Sequence, residues 1–396
     1  MFINKELINT VERKLRSPLV CCMMYFYRAY QMIHDFIRPT HRRLIVGITI
    51  TEKCNLNCIY CYQKIKSDKT ISLNKIQGII THILEANSIW TDIEFRFLGG
   101  EPFIESQLMH DVIEWALKKK WGKKFIFKIT TNGTHISAET KKWLEKYKER
   151  VNVILSLDGF PSMHNKNRSN SFQDIDYSFF KDLWPDESIK MTISKETINE
   201  LFNSIIYIID ELKLNVSFNP ALGQGWGSSE LKSLKIEQEK LITFYSHKDK
   251  LKLPPIYNFC FSRILNIDDS TRQCGIGKNI IAYDTEGSPF PCYMFLPNVL
   301  KINNIPKISE FHNDTSLKDN YCDECIIKNI CPTCYAFNFL EREQSSMRDH
   351  SFCAFYKEII KCSAQIKMNR FSKKHFFSEK EVKEINAILY LNNHLN

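Results

Sequence analysis

Three cysteines in one short stretch are the residues of this chain best suited to chemistry. Cys54, Cys58 and Cys61 are separated by three and two residues, and Tyr60 directly precedes the third. Three thiolates from one tight loop can hold three irons of a cubane iron–sulfur cluster and leave the fourth iron open to a substrate or cofactor. The spacing therefore predicts a reactive cluster, although three close cysteines are also compatible with part of a zinc site.

A second signal is a glycine-rich turn, Gly99-Gly100-Glu101-Pro102, which follows the predicted strand 93–98. Glycine lacks the Cβ that would block close approach of the backbone to a ligand, and a carboxylate accepts hydrogen bonds from an amine. Taken alone, such a sequence is often only a turn. Because it follows the strand after the cysteine loop, it indicates a ligand-binding loop.

Polar residues also follow the next two predicted strands. Asn132 comes after the third strand, and Ser156 and Asp158 end the fourth. Arg168 follows in the stretch His164-x3-Arg168, and its guanidinium could pair with a carboxylate. The alternatives are turn chemistry for Asn132, which precedes a glycine, and a surface ion pair for Arg168.

The elements that must position these residues alternate between strand and helix. Six short runs of β-type residues are separated by runs with helical periodicity, which is typical of parallel β/α units. Active-site groups of such folds gather at the C-terminal ends of the strands, where all of the signals above fall. We predict an α/β fold, a partial (β/α)6 TIM-like barrel, with strands near 43–50, 93–98, 125–130, 151–157, 189–194 and 216–219.

Together these motifs resemble the signature of the radical S-adenosylmethionine (SAM) enzymes. The family's cluster-binding cysteines correspond to the three of the loop, and Tyr60 stands at the aromatic position that packs near the adenine. Its second motif corresponds to residues 99–102, where the Glu101 carboxylate helps to hold the cofactor's ammonium. The SAM amine and carboxylate would chelate the open iron. The resemblance also implies a cofactor-binding role for residues at the later strand ends, namely Asn132, Ser156, Asp158 and Arg168.

A second group of cysteines, nearer the C-terminus, has its own regular spacing. It comprises Cys274, Cys292, Cys322, Cys325, Cys331, Cys334 and Cys353, and Gly287 marks a predicted hairpin turn between the first two. The pattern resembles the seven-cysteine SPASM domain of radical enzymes that act on peptides and proteins. It departs from that family between Cys331 and Cys334, which are separated by two residues where three are usual. A pair of zinc knuckles is the alternative.

The resemblance implies two auxiliary [4Fe–4S] clusters besides the SAM-binding one. The first would be held by Cys274, Cys292 and Cys334, with either Cys260 or an open position on its fourth iron. The second would be held by Cys322, Cys325, Cys331 and Cys353. The cysteines without a partner by spacing, predicted to be ordinary cysteines, are Cys21, Cys22 and Cys362.

The composition limits the classes of protein to which this chain can belong. The chain has 396 residues, of which 43% are hydrophobic and 25% charged, as is ordinary for a soluble globular protein. The fourteen cysteines are clustered, which favours metal ligation in a reducing compartment over a disulfide framework. The apolar stretch Pro18–Ile37 contains charged residues, so we predict a packed amphipathic helix there, neither a membrane span nor a signal peptide. A cytoplasmic protein is therefore expected.

The net charge of +9 is concentrated near the N-terminus, where residues 1–50 hold eight Lys or Arg and three acids. We interpret this region as a solvated surface or a weak docking surface for an acidic partner, and no pattern favours nucleic acid. The predicted segments are a basic helical extension (1–43), a radical SAM partial barrel (44–222), a helical linker (223–259), an auxiliary-cluster domain (260–370) and a C-terminal helix (371–396).

The resemblance implies a peptide-modifying enzyme. The expected reaction is cleavage of SAM, hydrogen abstraction from a ribosomally made peptide, and formation of a thioether or carbon–carbon crosslink, with the auxiliary clusters assisting oxidation of the substrate radical. An electron donor such as flavodoxin or ferredoxin is implied. The roughly 43 residues before the first strand are too few for a winged-helix leader-binding module, so leader binding would need a separate partner or another surface. The alternatives are formylglycine formation in a sulfatase and a metal-binding module without turnover.

Overall fold

The structure, a computed structural model, describes residues 2–17, 42–265, 272–300 and 304–395. The helix predicted in Pro18–Ile37 lies outside these ranges, as do Cys21 and Cys22. Among the helices that are described, none is both long and apolar enough to cross a membrane.

In these ranges, eight strands form a larger and a smaller sheet. The larger sheet has the order β4-β3-β2-β1-β7-β8, and β5 pairs with β6. All of the pairs are parallel except the β7–β8 hairpin. A bridge between Ser156 and Lys190 connects the end of β4 to β5, so the two sheets continue as one wall. The strands are β1 (Arg43–Thr51), β2 (Asp92–Gly99), β3 (Lys124–Thr131), β4 (Val151–Leu155), β5 (Ser188–Ile193), β6 (Asn215–Pro220), β7 (Ile280–Tyr283) and β8 (Pro289–Phe290).

The six strands predicted from the sequence are therefore confirmed as β1 to β6, and helical segments separate them. This arrangement confirms the predicted α/β partial barrel. The α-helices up to β6 are Lys5–Leu15, Leu73–Glu85, Ser106–Lys118, Ala138–Tyr147, Pro161–Asn167, Tyr177–Leu183 and Leu201–Ile206. Those after β6 are Ser228–His247, Tyr335–Arg342, His350–Ser372 and Glu379–His394.

Alternate residues of the strands form the core of the barrel wall. Phe95 and Phe97 on β2, and Phe127 and Ile129 on β3, are completely buried. The rings of Phe95 and Phe127 stack with their centroids 5.5 Å apart. Because side chains alternate between the two faces of a strand, the intervening positions point to the opposite face, and these are largely polar.

The β7–β8 hairpin ties the cysteine-rich region to the barrel. β7 pairs in parallel with β1, with Ile45 opposite Ile280. Gly287 occupies the hairpin turn with a φ of +82°, a conformation that favours glycine. The predicted hairpin is present, but its first strand enters the barrel sheet. The sequence did not indicate this pairing, because a strand of four residues carries too short a pattern of its own.

Helices from both ends of the chain pack on the remaining side. Helix His350–Ser372 lies against Ser228–His247. The backbone N–H groups of Phe2 and Ile3 donate to Asn392 Oδ1 at 2.9 and 2.8 Å. Apolar residues of these helices belong to the same hydrophobic core as the barrel, so the C-terminal helices stabilise the barrel directly.

Candidate functional site

The loop that follows β1 carries the first set of cysteines. Cys54, Cys58 and Cys61 are partly buried, and their thiols lie close enough for their charges to interact. Burial raises the pKa of Cys54, and it raises the pKa of Cys58 to about 11. At neutral pH such thiols stay protonated until a cation displaces the proton, as expected of metal ligands.

The second glycine of the turn makes room for this loop. The Gly100 N–H donates to Thr51 O at 2.9 Å, and the Glu101 N–H donates to Lys53 O at 2.8 Å. A Cβ on Gly100 would lie 2.0 Å from Lys53 O and 2.8 Å from Cys54 Cβ. The motif predicts that glycine admits a ligand here, whereas in the structure it admits the backbone that carries Cys54.

Replacing Gly100 with alanine should therefore weaken the cysteine loop. We expect the free energy of unfolding to fall by about 1–3 kcal/mol, because the clash is with backbone and no rotamer relieves it. The iron content after reconstitution should fall as well. The matched control is Gly78→Ala in the helix Leu73–Glu85, where a Cβ meets nothing within 4 Å. That change should raise the free energy of unfolding by roughly 0.5–1 kcal/mol. Denaturant titration measures both, and equal stabilities would contradict the role of Gly100.

Glu101 is completely buried and joins the ends of β2 and β3. Its carboxylate accepts hydrogen bonds from Thr131 Oγ1 at 2.7 Å, Asn132 N at 2.7 Å and Phe103 N at 3.1 Å. Burial raises the pKa of Glu101 to about 7, against the effect of these hydrogen bonds. A carboxylate offers about four acceptor positions, so one position on Oε2 remains for a further donor such as an amine.

The Asn132 side chain links the end of β3 to the cysteine loop. Its Nδ2 donates to Asn55 Oδ1 at 2.9 Å, and its Oδ1 accepts from Thr134 N at 2.9 Å. Asn55 directly follows Cys54. Asn132 therefore helps to hold the cysteine loop in place. This role goes beyond the turn chemistry that was the alternative.

Pro102 and Ser156 also lie at these strand ends. Pro102 is buried at the start of the 3-10 turn Pro102–Glu105, which leads directly into the helix Ser106–Lys118. The Ser156 N–H donates to Thr131 O at 2.8 Å and extends the pairing of β4 with β3. Both residues therefore lie at the predicted edge of the barrel.

Asp158 is the centre of a buried polar network at the end of β4. It forms a bidentate ion pair with Arg168, with Nε–Oδ2 and Nη2–Oδ1 distances of 3.0 and 3.3 Å. The Tyr60 hydroxyl also donates to Oδ2, and the Arg168 guanidinium lies over the Tyr60 ring, 5.4 Å from its centroid. The Arg168 charge also reaches Cys58. The carboxylate partner of Arg168 is thus Asp158, and the pair is buried, not on the surface.

Three residues without a predicted role complete this network. Asn167 Nδ2 donates to Asp158 Oδ2 at 3.2 Å, and the Thr192 N–H donates to Oδ1 at 2.8 Å. The Asp158 N–H donates to His164 Nδ1 at 3.2 Å, which assigns the ring proton to Nε2. Burial lowers the pKa of His164 to about 4, so the ring is neutral. The spacing of His164 and Arg168, one helical turn apart, was the available sequence signal.

The cysteines of the C-terminal region fall into two groups. Cys292 lies near Cys274 and Cys334, which also lie near each other. The second group is defined in the same way by charge interactions among its thiols and consists of Cys322, Cys325, Cys331 and Cys353. The structure therefore brings together the two groups that the resemblance implied, and their ligation of clusters stays a prediction.

The surroundings of the thiols fit negatively charged clusters. In each set, the positive charge of a nearby arginine partly offsets the rise in thiol pKa that burial causes. These arginines are Arg168 beside Cys58, Arg272 beside Cys274 and Arg348 beside Cys331. The second C-terminal group also borders a cavity of about 790 Å³. Within the described ranges, no three His, Cys, Asp or Glu side chains are arranged around a single metal-ion position. The assignment to clusters rests on donor chemistry, grouping and charge.

Cys260 and Cys362 lie apart from these groups. The Cys260 thiol lies 3.3 Å from Ser262 Oγ, and no contact between described residues joins it to the Cys274 group. Cys362 is buried in the core with its Sγ 4.0 Å from Gln238 O. It packs as the ordinary cysteine that its isolated position predicts.

Comparison with protein families gives a match over residues 48–178 to the Radical SAM superfamily. An uncharacterized protein of Methanocaldococcus jannaschii is 31% identical over 28% of this chain and 37% of its own length. A GTP 3',8-cyclase of Limosilactobacillus fermentum is 29% identical over 35% of this chain and 38% of its own length. The chain thus matches less than half of either relative. The antilisterial bacteriocin subtilosin biosynthesis protein AlbA of Bacillus subtilis is 23% identical over 76% of this chain and 68% of AlbA.

Two solved structures share the fold over most of their length. Native anSMEcpe with bound AdoMet and the Cp18Cys peptide has a TM-score of 0.63 and 19% identity, covering 81% of this chain and 96% of that one. Streptococcus suis SuiB bound to its precursor peptide SuiA has a TM-score of 0.52 and 16% identity, covering 83% and 79%. The matched segment, residues 48–178, contains the cysteine loop and strands β2 to β4, and it is this part of the chain that is assigned to the Radical SAM superfamily.

Proposed function

We propose that this chain is a radical SAM maturase that installs a thioether or carbon–carbon crosslink in a ribosomally made peptide. The observation that carries the proposal is the presence of three separate sets of cysteine thiols, one after β1 and two after β6. The match of AlbA to 76% of the chain supports a peptide as the substrate. In this organisation, residues 44–222 carry the radical site and residues 260–370 carry the auxiliary clusters.

Cys54, Cys58 and Cys61 would hold the first [4Fe–4S] cluster and leave one iron free for SAM. Bound there, the cluster and SAM supply a radical that abstracts hydrogen from an unactivated carbon. The two C-terminal groups of thiols would hold auxiliary clusters that assist oxidation of the substrate radical. Cys260 makes no described contact with the Cys274 group, so the fourth iron of the first auxiliary cluster would be open unless Cys260 reaches it when the cluster is bound.

Several side chains would bind and orient SAM beside the loop. Asp158 engages Nε and Nη2 of Arg168, which leaves Nη1 to pair with a carboxylate of the cofactor. Glu101 retains an acceptor position on Oε2 for the amine. Tyr60 is fixed by its hydrogen bond to Asp158, so its ring has one defined orientation against which an adenine would pack.

The proposal also defines the partners of the enzyme. An electron donor such as flavodoxin or ferredoxin would supply the reaction with electrons. Leader-peptide binding would be performed by a separate protein or by another surface. We place the protein in the cytoplasm, because unpaired cysteines that ligate metal clusters need a reducing compartment.

Anaerobic reconstitution with iron and sulfide tests the enzyme proposal. With SAM and a strong reductant, the reconstituted chain should release 5′-deoxyadenosine, measured by chromatography. Coexpression with the small open reading frames beside its gene should give a peptide that is lighter by two hydrogen atoms for each crosslink, measured by mass spectrometry. If no 5′-deoxyadenosine forms above a protein-free control, the chain is a metal-binding module without turnover.

A second candidate is formylglycine formation in a sulfatase. The fold match to anSMEcpe favours this candidate. Its TM-score is higher than that of the match to SuiB, and the match covers 96% of the anSMEcpe chain. The distinguishing substrate is a Cys-x-Pro-x-Arg peptide. A product aldehyde that reacts with a hydrazide, together with unchanged peptides from the neighbouring reading frames, would support this candidate over the crosslinking maturase.

A further inference from the structure

The inner face of the barrel wall is polar and charged. Lys190 on β5 donates to Thr130 Oγ1 on β3 at 3.2 Å, and its charge interacts with those of Arg96 on β2 and Lys128 on β3. Side chains from three strands therefore meet on one face, the face opposite the buried phenylalanines. A complete TIM barrel fills this space with apolar layers, whereas here it remains open to solvent at Lys190, which is exposed.

Most cations of this inner face already have a carboxylate partner. Arg96 Nε lies 2.6 Å from Glu94 Oε1, and Lys128 Nζ lies 3.0 Å from Glu187 Oε1. For Lys190, by contrast, no carboxylate of the described residues lies within ion-pairing distance, and its one hydrogen bond is to a neutral hydroxyl. Lys190 is thus a positive charge on the inner face without a carboxylate partner among the described residues.

The surroundings of Lys190 disfavour the protonated, positively charged form of its side chain. Burial and the charges of Arg96 and Lys128 together lower the pKa of Lys190 to about 8, while Glu94 acts in the opposite direction. The side chain reaches solvent, but protein atoms of the inner face surround it. A bound anion would offset the penalty, because an ion pair is stronger where water is partly excluded.

The position of Lys190 places it at the reactive end of the barrel. Its backbone forms a bridge with Ser156, and its carbonyl accepts from the Leu157 N–H at 2.9 Å, directly before Asp158. On the same inner face, Arg96 lies near Tyr293, which adjoins Cys292 of the first C-terminal thiol group.

Tyr62, the aromatic residue that directly follows Cys61, also lies near these residues. The Tyr62 ring lies near Cys61, Tyr293 and Cys292. Tyr62, Tyr293 and Arg96 therefore connect the cysteine loop and the first C-terminal thiol group to the cationic inner face, where a substrate would meet the radical source.

We propose that Lys190 holds a side-chain carboxylate of the peptide substrate, so that the segment presented to the radical site carries an acidic residue. This inference rests on the proposed function and narrows its substrate class to acidic peptides. Because Arg96 and Lys128 are each paired with a carboxylate, Lys190 carries the unpaired positive charge that favours an anion over a neutral group. Lys190 is a specificity residue, and it takes no part in holding the clusters.

Binding of defined peptide libraries tests this inference. The probes are a synthetic random hexapeptide amide library with one fixed Asp, and the same library with Asn in its place. Affinity selection and mass spectrometry on the reconstituted protein with SAM measure the retained fraction. The Asp library should be retained on the order of tenfold more than the Asn library, as expected for one hydrogen bond between charged groups. Lys190→Gln should abolish this preference.

Lys142→Gln is the matched control. Lys142 is an exposed lysine of the helix Ala138–Tyr147, outside the inner face, so the same change of charge should leave the preference intact. Circular dichroism and iron content show whether each variant has folded and bound its clusters. A second variant, Lys190→Arg, keeps the charge and should keep the preference, which separates recognition of charge from a structural defect.

Three results would overturn the inference. The first is equal retention of the Asp and Asn libraries by the unmodified protein. The second is a preference for the Asp library that survives in Lys190→Gln. The third is binding of GTP that depends on Lys190 while the Asp library is not retained, because the lysine would then hold a phosphate. Since the readout is binding, a protein that selects the Asp library but releases no 5′-deoxyadenosine would overturn the proposed function and leave the inference standing.

Discussion

Replacement of Cys54, Cys58 and Cys61 together by alanine should abolish SAM cleavage and leave iron bound elsewhere in the protein. These three thiols form one set after β1, whereas the other two sets lie after β6 and have arginines of their own beside them. In the proposed assignment, removing the first set takes away all of the protein ligands of the reactive cluster. We expect 5′-deoxyadenosine to fall below detection while about two thirds of the reconstituted iron is retained, the share of two clusters out of three.

Iron content, sulfide content and electron paramagnetic resonance of the reduced protein measure this outcome. The matched control is Cys362→Ala, because Cys362 is a buried cysteine of the core that lies in none of the three sets. That variant should keep all of its iron and its 5′-deoxyadenosine formation. If the triple variant loses all iron while remaining folded, the three sets are not independent, and the assignment of separate clusters is wrong.

The sequence predicted those features that depend on short-range patterns. The alternation of strands and helices in the barrel follows from runs of a few residues with a period of two or of 3.6, and all six strands were confirmed. The cysteine spacings are equally local. In an α/β fold, consecutive strand ends meet at one edge, so a local pattern was sufficient to place Glu101, Asn132 and Asp158 near the cysteine loop.

Features that depend on contacts between distant parts of the chain were not predictable in this way. The pairing of β7 with β1 joins residues more than two hundred positions apart through only four residues. The tight approach of Gly100 to Lys53 depends on how the turn meets the loop, so the same glycine that suggested a ligand contact has a structural role. The cationic inner face depends on the curvature of the sheet, which brings Lys190 near side chains of β2 and β3.

The sequence indicated the type of contact that Arg168 makes but not the residue that makes it with Arg168. A guanidinium at Arg168 indicates a carboxylate nearby, but the sequence offers many carboxylates and does not rank them. The structure selects Asp158, because both side chains are buried at the end of β4 and their atoms meet in a bidentate arrangement. Glu101 shows the same limitation, since its hydrogen-bond donors are fixed only by the meeting of two strand ends.

Arg168→Met should destabilise the folded protein by about 3–5 kcal/mol, because it leaves the Asp158 carboxylate buried without its counter-ion. The Asp158 side chain is inaccessible to solvent, and that of Arg168 is 9% exposed. Urea unfolding of the cluster-free protein measures the effect without any contribution from bound iron. The double variant Arg168→Met with Asp158→Asn should recover part of the loss, because no buried charge then remains unpaired. For comparison, Lys75→Met breaks an exposed pair with Glu286, whose atoms are 3.0 Å apart, and should cost less than about 1 kcal/mol. If Arg168→Met costs no more than Lys75→Met, the buried pair does not hold the Asp158 network together, and the orientation of Tyr60 beside the cysteine loop must have another cause.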